Sequence, residues 1–239
     1  MLARQDEPLD DAVVNRFERA VSRRLTGEPV AYILGVKEFY GRPFQVDNRV
    51  LIPRPETEHL VEVVLELPRP QCHSLLEIGT GSGCLACTLA LEIPGSRVTA
   101  TDLSIGALAV ARGNLKRHDL TDRLQLIATD LAVGVDLAHT DLVISNPPYI
   151  GRPETDSLSS EILDFEPHSA LFAGAAGDEV HRRLLDELAG LPHEAWLVME
   201  IGASQEEPIR HLSAQSPFSL LEVRPDYAGH PRVAVLRRR

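Results

Sequence analysis

Leu75-Leu76-Glu77-Ile78-Gly79-Thr80-Gly81-Ser82-Gly83 decides the fold. Leu75 to Ile78 predicts a short buried strand, Ser82 to Leu91 predicts a helix, and three glycines fill the turn between them. Glycines there permit a tight turn and a close approach of backbone to a ligand. Outward from this unit, strands and helices alternate. Strands are expected at 97–101, 124–128, 141–145 and 195–201, with helices at 104–118, 178–190 and 206–214, which means βαβ units and a doubly wound sheet. Two closing strands at 219–224 and 233–236, joined by Pro225-Asp226-Tyr227-Ala228-Gly229, predict an antiparallel pair at the edge of a mostly parallel sheet.

Upstream, residues 10–26 predict an amphipathic helix with Asp10 or Asp11 as N-cap, Val13, Phe17, Ala20, Val21 and Leu25 on one face, and Gly27 as the stop. Residues 31–46, broken at Gly35 and Gly41, predict a hairpin. Residues 1–50 thus read as a small N-terminal module and 51–239 as the main domain. Pro55-Glu56-Thr57-Glu58 predicts the start of a helix that runs to about Leu67 and stops before Pro68 and Pro70. Residues 151–176 hold Gly, Pro, Ser and acidic residues with little periodicity, which predicts a long loop of the lid kind over the strand ends.

The chain has 239 residues, 44% hydrophobic and 25% charged, with a net charge of −11. These are globular values, and the acidic balance supplies no basic field for nucleic acid. The terminal Arg237-Arg238-Arg239 reads as a solvated tail. No apolar run approaches the about 18 residues of a membrane span, and Met1 to Glu7 lacks the apolar core of a signal peptide, so a cytoplasmic protein is expected. Cys72, Cys84 and Cys87 are expected to be thiols, with Cys84 and Cys87 as small packing residues of one helix. His59, His168 and His181 are expected at the surface.

Strand ends place the candidate chemistry. A dinucleotide fingerprint wants glycine at position 84, where Cys84 stands, so a pyrophosphate cofactor is disfavoured. Asp102 ends the second strand and fits either a ribose acceptor or a cap for the helix beginning at Ser104. Asp130 ends the third at the same level, within reach of an exocyclic adenine amine. After the strand 141–145 come Asn146-Pro147-Pro148-Tyr149. The two prolines remove N–H donors, so the turn offers carbonyl oxygens and the Asn146 side chain as acceptors, with Tyr149 as an aromatic wall. Alone these residues fit a turn and a site equally. Together the four strand ends describe an adenine nucleoside without a large phosphate facing a turn for an NH2-bearing substrate, which is S-adenosyl-L-methionine chemistry.

A set of segments carries a resemblance: Gly27-Glu28-Pro29-Val30-Ala31-Tyr32-Ile33-Leu34-Gly35, Glu38 to Gly41, Leu51-Ile52-Pro53-Arg54-Pro55-Glu56-Thr57-Glu58, Gly79 to Gly83, Ser145 to Ile150, Glu166-Pro167 with Ala170-Leu171, Glu200-Ile201-Gly202 with Gln205, and Asp226 with Gly229 and Arg232. The chain resembles the HemK/PrmC family of protein-(glutamine-N5) methyltransferases over roughly residues 25–235. The resemblance implies a Rossmann-like class I methyltransferase sheet and S-adenosyl-L-methionine held by Gly79, Thr80, Gly81, Ser82, Gly83, Asp102, Asp130 and Leu131. It further implies Asn146 and Pro147 on a glutamine amide, with Pro148 beside them and Tyr149 packing on it. Arg54, Glu56 and Thr57 would line the entrance. The implied partner is a class 1 peptide chain release factor, methylated at the glutamine of its Gly-Gly-Gln loop, with no direct nucleic-acid contact and no membrane. Adenine-N6 methylation of nucleic acid, methylation of another protein by a specialised paralogue, and a non-catalytic binding role are the alternatives. Three departures bear on the protein substrate. Only the last helix of the family's N-terminal bundle is expected, residues 174–182 replace the usual Gly-x-Asp-Gly-Leu segment, and Pro192 to Ala195 replaces a Gly-Gly. All are expected to lie away from the cofactor residues.

Overall fold

A computed structural model describes residues 10–68 and 73–239. The expectations for the first nine residues, Pro70 and Cys72 lie outside the described residues. Helix α1 (Asp11–Leu25) starts at Asp10, whose carboxylate accepts the Ala12 N–H at 2.8 Å, and ends with Arg23 and Arg24 against the negative end of its dipole. Its apolar face is not covered: Phe17 and Leu25 are exposed and none of its residues is buried. Residues 30–34 correct the hairpin expectation. Pro29 at the N-cap and left-handed Gly35 at the C-cap close them into the short helix α2 (Val30–Leu34), and the hairpin is only β1 (Val36–Phe39) with β2 (Arg42–Gln45). Tyr40 and Gly41, both at positive φ, make its two-residue turn.

A 3-10 turn at Pro55–Thr57 leads into α3 (Glu58–Glu66). Then β3 (Ser74–Ile78), α4 (Cys84–Glu92), β4 (Arg97–Asp102), α5 (Ile105–Arg117), β5 (Leu124–Ala128) and β6 (Leu142–Ser145) follow the expected alternation. Residues 151–176 are not one loop. They form β7 (Ile150–Gly151), a 3-10 turn at Arg152–Ser157, α6 (Ser160–Phe165), another 3-10 turn at His168–Ala170 and β8 (Phe172–Gly174), each too short to show a period. The chain ends with α7 (Glu179–Glu187), β9 (Trp196–Glu200), α8 (Glu206–Ala214), β10 (Phe218–Pro225) and β11 (Pro231–Arg238).

The main sheet runs β10-β11-β9-β6-β3-β4-β5 and is parallel apart from β11, which is antiparallel to both neighbours. The last strand therefore inserts inside β10. Every residue of β6 and β9 is buried, as continuous apolar strands covered on both faces require. Cys84 through Ala90 of α4 are all buried, which makes Cys84 and Cys87 packing residues; no metal-ligating cluster occurs among the described residues. Phe39 and Phe44 of the hairpin enter the same core, and Asn114 of α5 ties the hairpin down by accepting Gln45 N–H and donating to the Gln45 and Ser82 carbonyls.

Two surface expectations fail. Arg237 stacks over Trp196 and pairs with Glu194, while Arg238 donates to the Ala189 and Pro217 carbonyls and Arg239 to that of Ser216, so the basic end is pinned rather than solvated. His59 and His181 are buried; only His168 is exposed. Among the described residues no helix is long and apolar enough to cross a membrane.

Candidate active site

The chain moves outward from β3 through β4 to β5, then returns to place β6 on the other side of β3. That reversal makes a crevice at the carboxyl ends of β3 and β6. Their register pairs Ile78 with Ser145, so the glycine loop and the Asn146 turn leave the sheet side by side. A Ser145 hydroxyl bond to the Ile78 carbonyl, 2.8 Å and buried, fixes the two ends. A cavity of about 320 Å³ opens there.

Gly79, Gly81 and Gly83 all hold positive φ, which strains any side chain, and a Cβ on Gly83 would come within 3.2 Å of Ala111 on α5. The protein itself takes up four of the loop's donors. Gly79 and Thr80 N–H groups go to the Thr101 carbonyl, Gly83 N–H to that of Thr80, and Gly81 N–H to Asp102 Oδ2 at 2.8 Å. A pyrophosphate, which needs such donors, fits this loop poorly. Asp102 Oδ1 accepts the Ser104 N–H at 2.8 Å, so the carboxylate organises the loop and helix start at once. Each oxygen keeps a further lone pair for a ligand in the cavity it lines, and burial raises its pKa.

Glu77 lines the same cavity and was not singled out in the sequence, although an acid inside Leu75-Leu76-Glu77-Ile78 was the available signal. Burial pushes its pKa up to about 8, opposed by the Thr80 hydroxyl donating to it at 2.5 Å. Asp130 and Leu131 also line the cavity; Asp130 accepts from Arg183 at 2.8 Å, and Leu131, at positive φ, takes the Thr101 hydroxyl on its carbonyl. Thr80, Gly81, Ser82 and Leu103 complete a wall that is mostly apolar with carboxylates at intervals. Such an acceptor set fits S-adenosyl-L-methionine, a nucleoside bearing cationic groups, better than a phosphate.

On the other side Asn146, Pro148, Arg54 and Thr57 line the cavity, whereas Glu56, Pro147 and Tyr149 do not. Asn146 Nδ2 donates to Thr57 Oγ1 at 3.0 Å, and the Thr57 hydroxyl donates to Glu200 Oε2 at 2.8 Å. Tyr149 turns its hydroxyl to Glu200 Oε1 at 3.2 Å, and its carbonyl accepts from Gln205 Nε2. Glu200 is buried at the end of β9; burial raises its pKa, opposed by the Thr57 bond, the Arg232 charge and the Tyr149 bond. Arg54 pairs with buried Glu166 at 2.5 Å, and Pro167, Ser169, Ala170 and Phe172 close the cavity from the segment after β7.

The 174–177 stretch is not remote from this site. Gln205 bridges the Gly177 and Tyr149 carbonyls at 2.9 Å each, and a Cβ on Gly177, at φ +94°, would lie 2.8 Å from the Tyr149 carbonyl oxygen. The altered segment therefore abuts the Asn146-Pro147-Pro148-Tyr149 turn.

Two family profiles match: a methyltransferase small domain over residues 57–170 and a PrmC N-terminal domain over residues 1–35. A release factor glutamine methyltransferase of Koribacter versatilis is 43% identical over 226 residues, covering 93% of this chain and 79% of that protein. A bifunctional methyltransferase of Rickettsia typhi is 36% identical over 98% of this chain, which spans only 49% of its length. Among solved structures, the hMettl16 catalytic domain in complex with MAT2A 3′UTR hairpin 6 has a TM-score of 0.65 at 16% identity, covering 100% of this chain and 96% of that one, a likeness of fold alone. By the extent and identity of the Koribacter match, joined to the two profiles, the chain belongs to the HemK/PrmC family of release factor glutamine methyltransferases.

Proposed function

We propose that the chain transfers a methyl group from S-adenosyl-L-methionine to the side-chain amide nitrogen of a glutamine, in the Gly-Gly-Gln loop of a class 1 peptide chain release factor. The observation that carries the substrate chemistry is the orientation of Asn146. One N–H of its NH2 group goes to Thr57, which makes Oδ1 the acceptor end for a ligand, beside Pro148, whose backbone has no N–H to offer.

An amide nitrogen is a weak nucleophile because its lone pair is delocalised into the carbonyl. The bound cofactor supplies an activated methyl group on a sulfonium. Asn146 Oδ1 and a turn carbonyl accept the two amide N–H bonds, which aims the nitrogen and stabilises the positive charge growing on it as the N–C bond forms. No base is required before transfer; the amide proton leaves afterwards to water. Glu77, Asp102, Asp130 and Leu131 hold the cofactor side, and Pro167, Ser169, Ala170 and Phe172 wall the cavity from the segment after β7. Membership of a family whose relatives carry this activity in their names supports the glutamine over other NH2 groups.

The test is transfer of labelled methyl to a purified release factor and to its Gly-Gly-Gln→Gly-Gly-Ala variant, with wild-type enzyme and with Asn146→Ala. Label on the first factor only is expected, falling by about a hundredfold or more with Asn146→Ala while cofactor affinity by calorimetry persists. Label on neither factor, or full activity of Asn146→Ala, overturns the reading.

A further inference from the structure

We infer that Thr57 and Glu200 are positioning residues that set the polarity of the Asn146 amide, from one and two hydrogen bonds away respectively; this rests on the proposed amide-methylating function. Thr57 is 4% exposed and Glu200 1%, so their bonds are largely shielded from bulk water. A hydroxyl has one proton. That of Thr57 goes to Glu200 Oε2, and Tyr149 directs its own hydroxyl proton to the other oxygen, so both Glu200 oxygens accept. Thr57 Oγ1 is thereby left as an acceptor toward Asn146, 3.0 Å away, and only the NH2 end of Asn146 satisfies it. Turning the Asn146 amide over would set two oxygens face to face at that distance with no proton between them, a buried polar conflict. The chain Glu200 to Thr57 to Asn146 thus keeps Oδ1 on the cavity side, where the substrate's N–H is to be held.

Three elements meet in this relay: the 3-10 turn of Pro55–Thr57, the end of β9, and the turn after β6. The Pro53-Arg54-Pro55-Glu56-Thr57-Glu58 segment therefore acts on the reacting end through Thr57, while Glu56 stands off the cavity. Neither Thr57 nor Glu200 touches the reacting atoms in this assignment.

The test compares Thr57→Val, of the same shape without the hydroxyl, with Thr57→Ser, which retains it, on the full chain. For Thr57→Val kcat falls by about tenfold to a hundredfold, more than KM for the release factor rises, with S-adenosyl-L-methionine affinity unchanged by calorimetry. Thr57→Ser recovers most of that loss. Equal kcat in Thr57→Val and wild type, or an equal loss in both variants, overturns the relay. If Thr57→Val does not fold, Glu200→Gln is read by the same split, because a glutamine permits the reversed sense of hydrogen bonding; unchanged kcat there overturns it. A second readout needs no substrate: side-chain NH2 exchange of Asn146 by NMR, protected in wild type and accelerated in Thr57→Val. A wild-type enzyme that labels no release factor defeats the proposed function, and the exchange measurement then decides the relay alone, with unaltered exchange overturning it.

Discussion

Glu77 is a buried acid among leucine and isoleucine in β3, separated from the glycine loop by Ile78 alone. With its pKa pushed up to about 8 by burial, it is mainly protonated at pH 7. S-adenosyl-L-methionine is cationic at its sulfonium and ammonium, and a cation in the cavity favours the carboxylate. Binding at pH 7 is therefore expected to release protons, with the release fading as pH rises past 8 because the free protein is already ionised. Calorimetry in two buffers of different ionisation enthalpy measures it. Buffer-dependent heats in wild type that shrink in Glu77→Gln support the assignment; identical heats in both proteins contradict it. At this scale the sequence yielded Asp102 and Asn146 because each stands at a strand end, where a polar residue invites a role. Glu77 was less visible, because it lies within a strand, at a position whose burial only the folded sheet reveals, and Glu200, although it ends β9, stood out only as part of the Glu200-Ile201-Gly202 segment. Tyr149 was expected as a wall and instead spends its hydroxyl on Glu200.

The segment from β7 to β8 was legible as polar and turn-rich but not as structure. Its elements are six residues or fewer, and tertiary bonds rather than periodicity hold them. Glu166 is the main tie: its side chain is 1% exposed, accepts the Ile52 N–H at 3.1 Å and pairs with Arg54. Arg24 on α1 adds a second, exposed tie to Glu161 of α6. Removing the Glu166 carboxylate strands a buried N–H and a cation, so Glu166→Ala is expected to cost about 2 kcal/mol in urea unfolding and to speed hydrogen exchange across residues 150–174. Unchanged stability and exchange would contradict that role. The same distinction explains α1 and α2. Periodicity in α1 identified a face able to be buried, but Phe17 and Leu25 remain exposed, since pattern does not specify a cover. In α2, Tyr32 and Ile33 suggested strand, and the caps at Pro29 and Gly35 overrode that preference.

For the whole molecule, alternation of strands and helices was enough to give the doubly wound sheet and the edge on which the site lies. It could not order the last two strands, because an inserted β11 and a simple edge hairpin have the same pattern in sequence. The amide clamp has a parallel ambiguity, since adenine N6 presents the same two N–H bonds as a glutamine. A net charge of −11 and the relatives' identity favour protein over nucleic acid. One competition assay addresses this directly: labelled S-adenosyl-L-methionine offered with equal amounts of a release factor and adenine-containing single-stranded DNA, followed by mass spectrometry of both. Methylation confined to the glutamine of the Gly-Gly-Gln loop is the expected result, and methyl groups on the DNA adenines with an unmodified glutamine would contradict it.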